Sequence, residues 1–210
     1  MKVLVAGGTG LVGSCVVRRL VDRRDEVVAL GRRPTGVATE DQIVDFDALP
    51  SLPHADAAFC GLGTTIKAAG SQQAFRAIDV DAVIAFAEKS REAGVKHFVL
   101  VTAVGADADS SVFYARMKGE VERTVEAMDF VGVDILQPGL LIGQRRERRA
   151  VEGFFQAISP VFTPLLPPAM DRYGGIGADA VARAAVAILD RGPAQLLRHE
   201  NRSIRLLAER

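Results

Sequence analysis

The chain has 210 residues, enough for one sizeable core and short of what two independent domains need. Apolar residues make up 49%, and 26 basic residues balance 26 acidic ones, so the formal net charge is zero. That balance argues against a nucleic-acid partner, and the local run Arg145-Arg146-Glu147-Arg148-Arg149 reads as the solvated start of a helix. Cys15 and Cys60 stand outside any C-x-x-C or His/Cys cluster, which excludes a disulfide scaffold and a metal site and leaves two small hydrophobes. A strand begins at once, and no apolar run approaches the roughly 20 residues that cross a bilayer. The expectation is a cytoplasmic protein with no membrane contact.

Lys2-Val-Leu-Val-Ala6 is a short apolar run ending in glycines, the pattern of a buried parallel strand. Leu11 to Val21 carries apolar residues at helical spacing. Further strands are expected at Glu26–Leu30, Gln42–Asp45, Asp56–Cys60, His97–Val101 and Val133–Gln137. Ser71 is a candidate cap for a long helix that Gly94 ends, and Ser111 to Met128 reads as another. Strands and helices alternate with crossover lengths suited to parallel pairing. The predicted fold is therefore α/β: a Rossmann-type doubly wound parallel sheet forming one domain over residues 1–210. From about residue 143 the texture changes, with Pro160, Pro164, Pro167 and Pro168 close together. A helix follows from Ala178 to Leu189, then a short strand or helix at Ser203–Leu207. Residues 143–210 are expected to form a small C-terminal extension on the substrate side.

Gly7-Gly8-Thr9-Gly10-Leu11-Val12-Gly13 satisfies both G-x-x-G-x-x-G and G-x-G-x-x-G. It follows a strand and opens a helix, the context in which such glycines turn the chain sharply and let backbone approach a pyrophosphate. The helix N-terminus then offers free N–H groups to the phosphates. After the second strand, where an NAD site usually carries an acid, the chain reads Gly31-Arg32-Arg33. Two guanidiniums suit a 2′-phosphate, which favours NADPH over NAD. Asp45 is equally a candidate acceptor for the adenine amine and a turn residue; Phe46 beside it is counted with the cofactor contacts.

Tyr114 and Lys118 are spaced i, i+4 on one predicted helix and share a face. A cation beside a phenol lowers its pKa, which makes Tyr114 a candidate general acid for a carbonyl oxygen. Lys118 is also placed to bond the nicotinamide ribose. Phe154, Phe155, Phe162 and Tyr173 give the tail an apolar character, as core or as pocket lining.

Gly7 to Gly13 with Tyr114 and Lys118 resembles the short-chain dehydrogenase/reductase superfamily. Cys60-Gly-Leu-Gly-Thr-Thr65, Lys96-His-Phe98, Gly105-Ala-Asp107, Lys118-Gly-Glu-Val-Glu122 and Pro138-Gly-Leu-Leu141 are similar to its atypical Tat-interacting-protein-like oxidoreductases. The resemblance implies that Gly61, Leu62, Gly63 and Thr64 lie along the cofactor. It also implies that Pro138, Gly139, Leu140 and Leu141 sit near the nicotinamide, and that the cofactor is NADPH. The superfamily's hydroxyl after the fifth strand is assigned to Thr102, although its usual register falls on Ala103; Ser110 and Ser111 are alternatives. The family's Arg before Pro-Gly is Gln137 here. The expected function is reduction of a small carbonyl substrate by hydride transfer. The alternatives are a non-catalytic NADP-binding regulator with a protein partner, and a nucleotide-sugar epimerase or dehydratase. A homodimer is compatible with any of them.

Overall fold

A computed structural model describes residues 1–143 and 168–210. In chain order the strands are β1 (Lys2–Ala6), β2 (Glu26–Gly31), β3 (Glu40–Ile43), β4 (Ala57–Cys60), β5 (His97–Val101), β6 (Gly132–Gln137), β7 (Leu140–Ile142), β8 (Gly175–Gly177) and β9 (Leu197–Glu200). The helices are α1 (Gly13–Asp22), α2 (Ile66–Ala69), α3 (Gln72–Arg76), α4 (Ala82–Glu92), α5 (Phe113–Glu126), α6 (Ala178–Arg191) and α7 (Asn201–Ala208). The main sheet runs β3-β2-β1-β4-β5-β6-β9, with every neighbouring pair parallel. The strand order reverses between β1 and β4, which opens a crevice at their carboxyl ends.

Parallel strands covered on both faces must be apolar almost throughout, and β1 and β4 are. On one face Val16, Val17 and Leu20 of α1 meet Val181, Ala185 and Ile188 of α6 over Val3, Val5 and Phe59. On the other, Val83 and Phe86 of α4 and Val121 and Val125 of α5 cover Leu4, Ala58 and Phe98. Ser71 caps the helical run as its sequence predicts, its hydroxyl accepting from the Ala74 N–H at 3.0 Å. Gly94, at φ +84°, ends it. Between α3 and α4 the run widens into a π-helical turn over Ala77–Asp81, a local irregularity that re-aims the side chains it carries.

The C-terminal segment is, in its described part, built into the main sheet and core. Helix α6 fills one face of the core beside α1, β9 continues the sheet beyond β6, and Ser203–Leu207 belongs to helix α7. The basic run at 145–149, Phe154, Phe155, Phe162 and all the tail prolines except Pro168 lie outside the described residues. Strand β3 lies at Glu40–Ile43, earlier than expected, because Asp45 is already the cap of a 3₁₀ turn.

One buried carboxylate fastens the β6–β9 side. Asp134 on β6, with no exposed surface, accepts from His97 Nε2 (2.8 Å), His199 Nε2 (2.6 Å) and Arg191 Nη2 (2.7 Å), drawing together β5, β9 and α6. Burial pushes this carboxyl up, but the bonds from His199, His97 and Arg191 outweigh it and hold the pKa well below the usual range. A depressed folded-state pKa contributes stability that is complete above the unfolded carboxylate range, begins to be lost as pH falls into that range, and is gone only once pH has fallen through the folded value. Asp134→Ala is expected to cost about 3–5 kcal/mol, since it strands buried partners. In urea titrations the wild-type midpoint should fall as pH drops from about 5 to about 3, whereas Asp134→Asn should start lower and vary less over that interval.

Candidate dinucleotide and catalytic site

The glycine turn sits at the reversal of strand order. Gly7 adopts φ +81°, and a Cβ there would stand 2.5 Å from the Gly61 carbonyl carbon. The Gly10 N–H donates to the Gly7 carbonyl at 2.9 Å, and a Cβ on Gly13 would overlap that same oxygen. Helix α1 thus starts hard against the turn. No side chain caps its N-terminus and no acid occupies its first turn, so its positive dipole end faces an anion unopposed, while the Ser14 and Cys15 N–H groups already donate to the Gly10 and Val12 carbonyls. Thr9 and Gly10 are exposed, Leu11 is half-buried, and Val12 and Gly13 are buried. These residues fit a dinucleotide pyrophosphate: the cradle is one that side chains would fill.

Arg32 and Arg33 follow β2 directly and are exposed. Asp45 serves as the turn residue that its sequence allows, its carboxylate accepting from the Asp47 N–H at 3.1 Å. Phe46, half-buried, packs against the α4-side core.

From β4 the chain runs through Gly61, Leu62, Gly63 and Thr64 toward α5. The Thr64 N–H donates to Asp79 Oδ2 at 2.7 Å, and Asp79 Oδ1 accepts from Lys118 Nζ at 2.5 Å. A Cβ on Gly63 would lie 3.4 Å from Asp79 Oδ1 and 3.8 Å from Lys118 Nζ, so the loop passes close over the pair. Lys118 Nζ is 5.9 Å from the centre of the Tyr114 ring, which also packs against Phe75. Tyr114 and Lys118 therefore do share a face, beside the loop after β4. Gly119 lets the segment Asp107–Ala108 lie directly on α5, where a Cβ would strike it.

The electrostatics of this cluster differ from those of an isolated Tyr–Lys pair. Burial would lower the Lys118 ammonium, but the Asp79 charge, then Tyr114, hold it above its ordinary value. Tyr114 is pushed up, not down: burial dominates, the lowering by Lys118 is smaller, and Asp79 opposes it. The phenol is accordingly protonated at neutral pH. Cys60, fully buried under the same loop, is raised to about 12, which leaves an inert thiol.

Thr102, buried just after β5, is held by a carboxylate of α5. Its hydroxyl donates to Glu122 Oε1 at 2.6 Å, and Glu122 also accepts from Gln137 Nε2 at 2.9 Å and Arg198 Nε at 3.2 Å. The expected substrate-orienting hydroxyl is thus engaged in tying β5, β6 and β9 to α5. The Ser110 hydroxyl accepts from the Val112 N–H at 3.1 Å. Pro138 accepts from the Val104 N–H at 3.0 Å, and the Gly139 N–H donates to Asn201 Oδ1 at 2.9 Å. Leu140 and Leu141 enter β7, pairing with β8, and at the end of that segment Gly143 lies against the Leu11 side chain. The β6 loop therefore reaches back over the phosphate turn.

Asp79, Glu122 and Asn201 are buried site residues that motif reading misses. Two had a signal: Asp79 falls on the apolar stripe with Phe75 and Val83, and Glu122 extends the Tyr114–Lys118 row by one more i+4 step. Asn201 had none, since its partners are distant in sequence.

A parallel sheet whose order reverses at a glycine turn, with an uncapped helix N-terminus facing the crevice, defines a Rossmann-type dinucleotide-binding protein. The chain belongs to the NAD(P)H-binding family, which it matches over residues 7–152, and within it to the atypical short-chain dehydrogenase/reductases. It is 33% identical over 204 residues to "Protein FMP52, mitochondrial" of Coccidioides immitis, covering 87% of this chain and 83% of that one. It is 34% identical over 163 residues to "Protein HTATIP2" of Rattus norvegicus, covering 72% and 67% respectively. Among solved structures, the human epimerase family protein SDR39U1 with NADPH superposes with a TM-score of 0.68 at 20% identity, over 95% of this chain and 74% of that one. A putative NAD-dependent epimerase/dehydratase from Bacillus halodurans gives 0.72 at 19%, over 100% and 99%. At these identities the two structures share the fold. The cytoplasmic expectation is overturned here: the fungal relatives, from Coccidioides immitis, Aspergillus niger and Eremothecium gossypii among others, are named as mitochondrial proteins. Among the described residues no helix is long and apolar enough to cross a membrane, and no group of His, Cys, Asp or Glu could hold a metal.

Gly7→Ala should weaken binding of NADPH and NADH alike by more than about tenfold, because φ > 0 costs a residue with a Cβ about 1–2 kcal/mol before the overlap with Gly61 is counted. Nicotinamide fluorescence titration measures this.

Proposed function

We propose that the protein is an NADPH-dependent reductase of small carbonyl compounds, with Tyr114 as the general acid. The observation that carries this reading is the cluster of half-buried Tyr114 with buried Lys118 and Asp79 beside the Gly61–Thr64 loop, at the mouth of the dinucleotide crevice. When bound, the nicotinamide supplies the hydride. The protein's part is to hold a proton for the oxygen that becomes an alkoxide. A phenol raised above its ordinary value keeps that proton at neutral pH, which suits donation. Lys118 uses one N–H on Asp79 and retains donors for a ribose hydroxyl. Its charge also stabilises the phenolate left after transfer, at a range where water competes poorly. Arg32 and Arg33, which take the place of the acid typical of NAD sites, receive the 2′-phosphate.

Tyr114→Phe should abolish turnover of an aldehyde and ketone panel while changing NADPH affinity by less than about twofold. Because the raised phenol must be protonated to act, wild-type reduction should stay level through neutral pH and decline only above about 10. A decline centred near 7 would contradict this assignment. Arg32→Ala should bring NADPH affinity down toward that of NADH in paired titrations.

A further inference from the structure

The loop that carries Arg32 and Arg33 is shaped by one carboxylate. Asp41, half-buried on β3 opposite Ala29 of β2, accepts through Oδ1 from the Thr35 N–H and the Thr35 hydroxyl, each at 2.8 Å. Through Oδ2 it accepts from the Gly36 N–H at 2.9 Å. The Thr35 hydroxyl oxygen in turn accepts from the Ala38 N–H at 3.0 Å. Gly36 adopts φ +72°, the left-handed conformation that a glycine takes without strain. The Thr35 methyl lies 2.9 Å from where a Cβ on Gly8 would stand, with Ala29 3.7 Å from the same point. The loop therefore folds back against the phosphate turn, and three of its donors are bound inward by a single side chain.

We propose that Asp41 is the positioning residue for cofactor selectivity. By holding the Thr35–Gly36 turn against Gly8, it fixes the backbone from which Arg32 and Arg33 reach a 2′-phosphate. This rests on the reading of those arginines given above. The physical reason is preorganisation: gripping a phosphate with two long side chains requires an ordered backbone beneath them, and a loop ordered beforehand does not incur that entropy on binding. The pyrophosphate grip rests on Gly7 against Gly61 and on the start of α1; Asp41 bonds to none of these and reaches the glycine turn only through the Thr35 methyl at Gly8. Removing it should therefore cost the cofactor with a 2′-phosphate and spare the one without.

The test is paired fluorescence titration with NADPH and NADH of the wild type, Asp41→Ala, Asp41→Asn, Thr35→Ala and an Arg32→Ala/Arg33→Ala double variant. Asp41→Ala should weaken NADPH about tenfold and NADH less than about twofold. Asp41→Asn, which keeps one acceptor oxygen but offers an NH₂ to Gly36, and Thr35→Ala should fall between it and the wild type. Equal losses for both cofactors in these variants would mean a merely structural residue and overturn the proposal, as would an unchanged NADPH affinity. A double arginine variant with the wild-type NADPH-to-NADH ratio would remove the arginine reading itself, a failure distinct from that of Asp41. Retained NADH binding reports folding in each variant; if Asp41→Ala does not fold, Asp41→Asn and Thr35→Ala decide the outcome.

Discussion

Two backbones meet at the centre of this molecule with no side chain between them. β1 and β4 are adjacent in the sheet but feed connections that go opposite ways, so their carboxyl ends must part at Gly7 and Gly61. The separation there leaves no room for a Cβ on Gly7, and Gly13 is excluded from one by the same carbonyl oxygen. This approach sets where α1 begins and how its amides face the crevice. It also sets where the chain after β4 goes. With Gly61 held to β1 through the Ala6 carbonyl, the next three residues are led to Asp79, and through Asp79 to Lys118 and the Tyr114 ring. The phosphate turn and the Tyr114–Lys118–Asp79 cluster are thus two ends of one short path of contacts.

Among the carboxylates buried in the described residues, Asp79, Glu122 and Asp134 each do a different task. Asp79 binds an ammonium and a loop amide at the crevice. Glu122 collects donors from the carboxyl ends of β5 and β6 and from β9. Asp134 gathers two histidines and an arginine where β5 opens and α6 closes. Buried charges of this kind contribute little net stability compared with apolar packing, because desolvation offsets much of the attraction. What they supply is registration: each accepts from at least two elements that hydrophobic contact alone would let slide.

The fold was largely legible because its central strands are short apolar runs with glycine stops. β1 and β5 have the bounds read from sequence, and Ser71 and Gly94 mark the helix between them. What escaped has a physical cause in each case. Leu197-Arg-His-Glu200 lacks strand periodicity because it is an edge strand whose polar side chains serve the Asp134 and Glu122 clusters. The Tyr114–Lys118 pairing followed from helical spacing, whereas the direction of the phenol's shift depended on burial and on a carboxylate 35 residues upstream. Thr102 was correctly placed after β5, but where a hydroxyl points is decided by the acceptor nearest to it, here on α5. A cellular address has no counterpart in composition or periodicity, and the cytoplasmic expectation failed on that account.

Asn201, fully buried at the start of α7, accepts from Gly139 and donates to the carbonyls of Asp171 and Gly174. It lies 62 residues downstream of the loop it fastens. A ribosome adding about 5–20 residues each second would release Pro138–Ile142 some seconds before its anchor exists. Helix α6, which covers β1 and β4 beside α1, is made in the same interval, so the strands under the glycine turn gain their cover and the loop over the turn gains its anchor only near the end of synthesis.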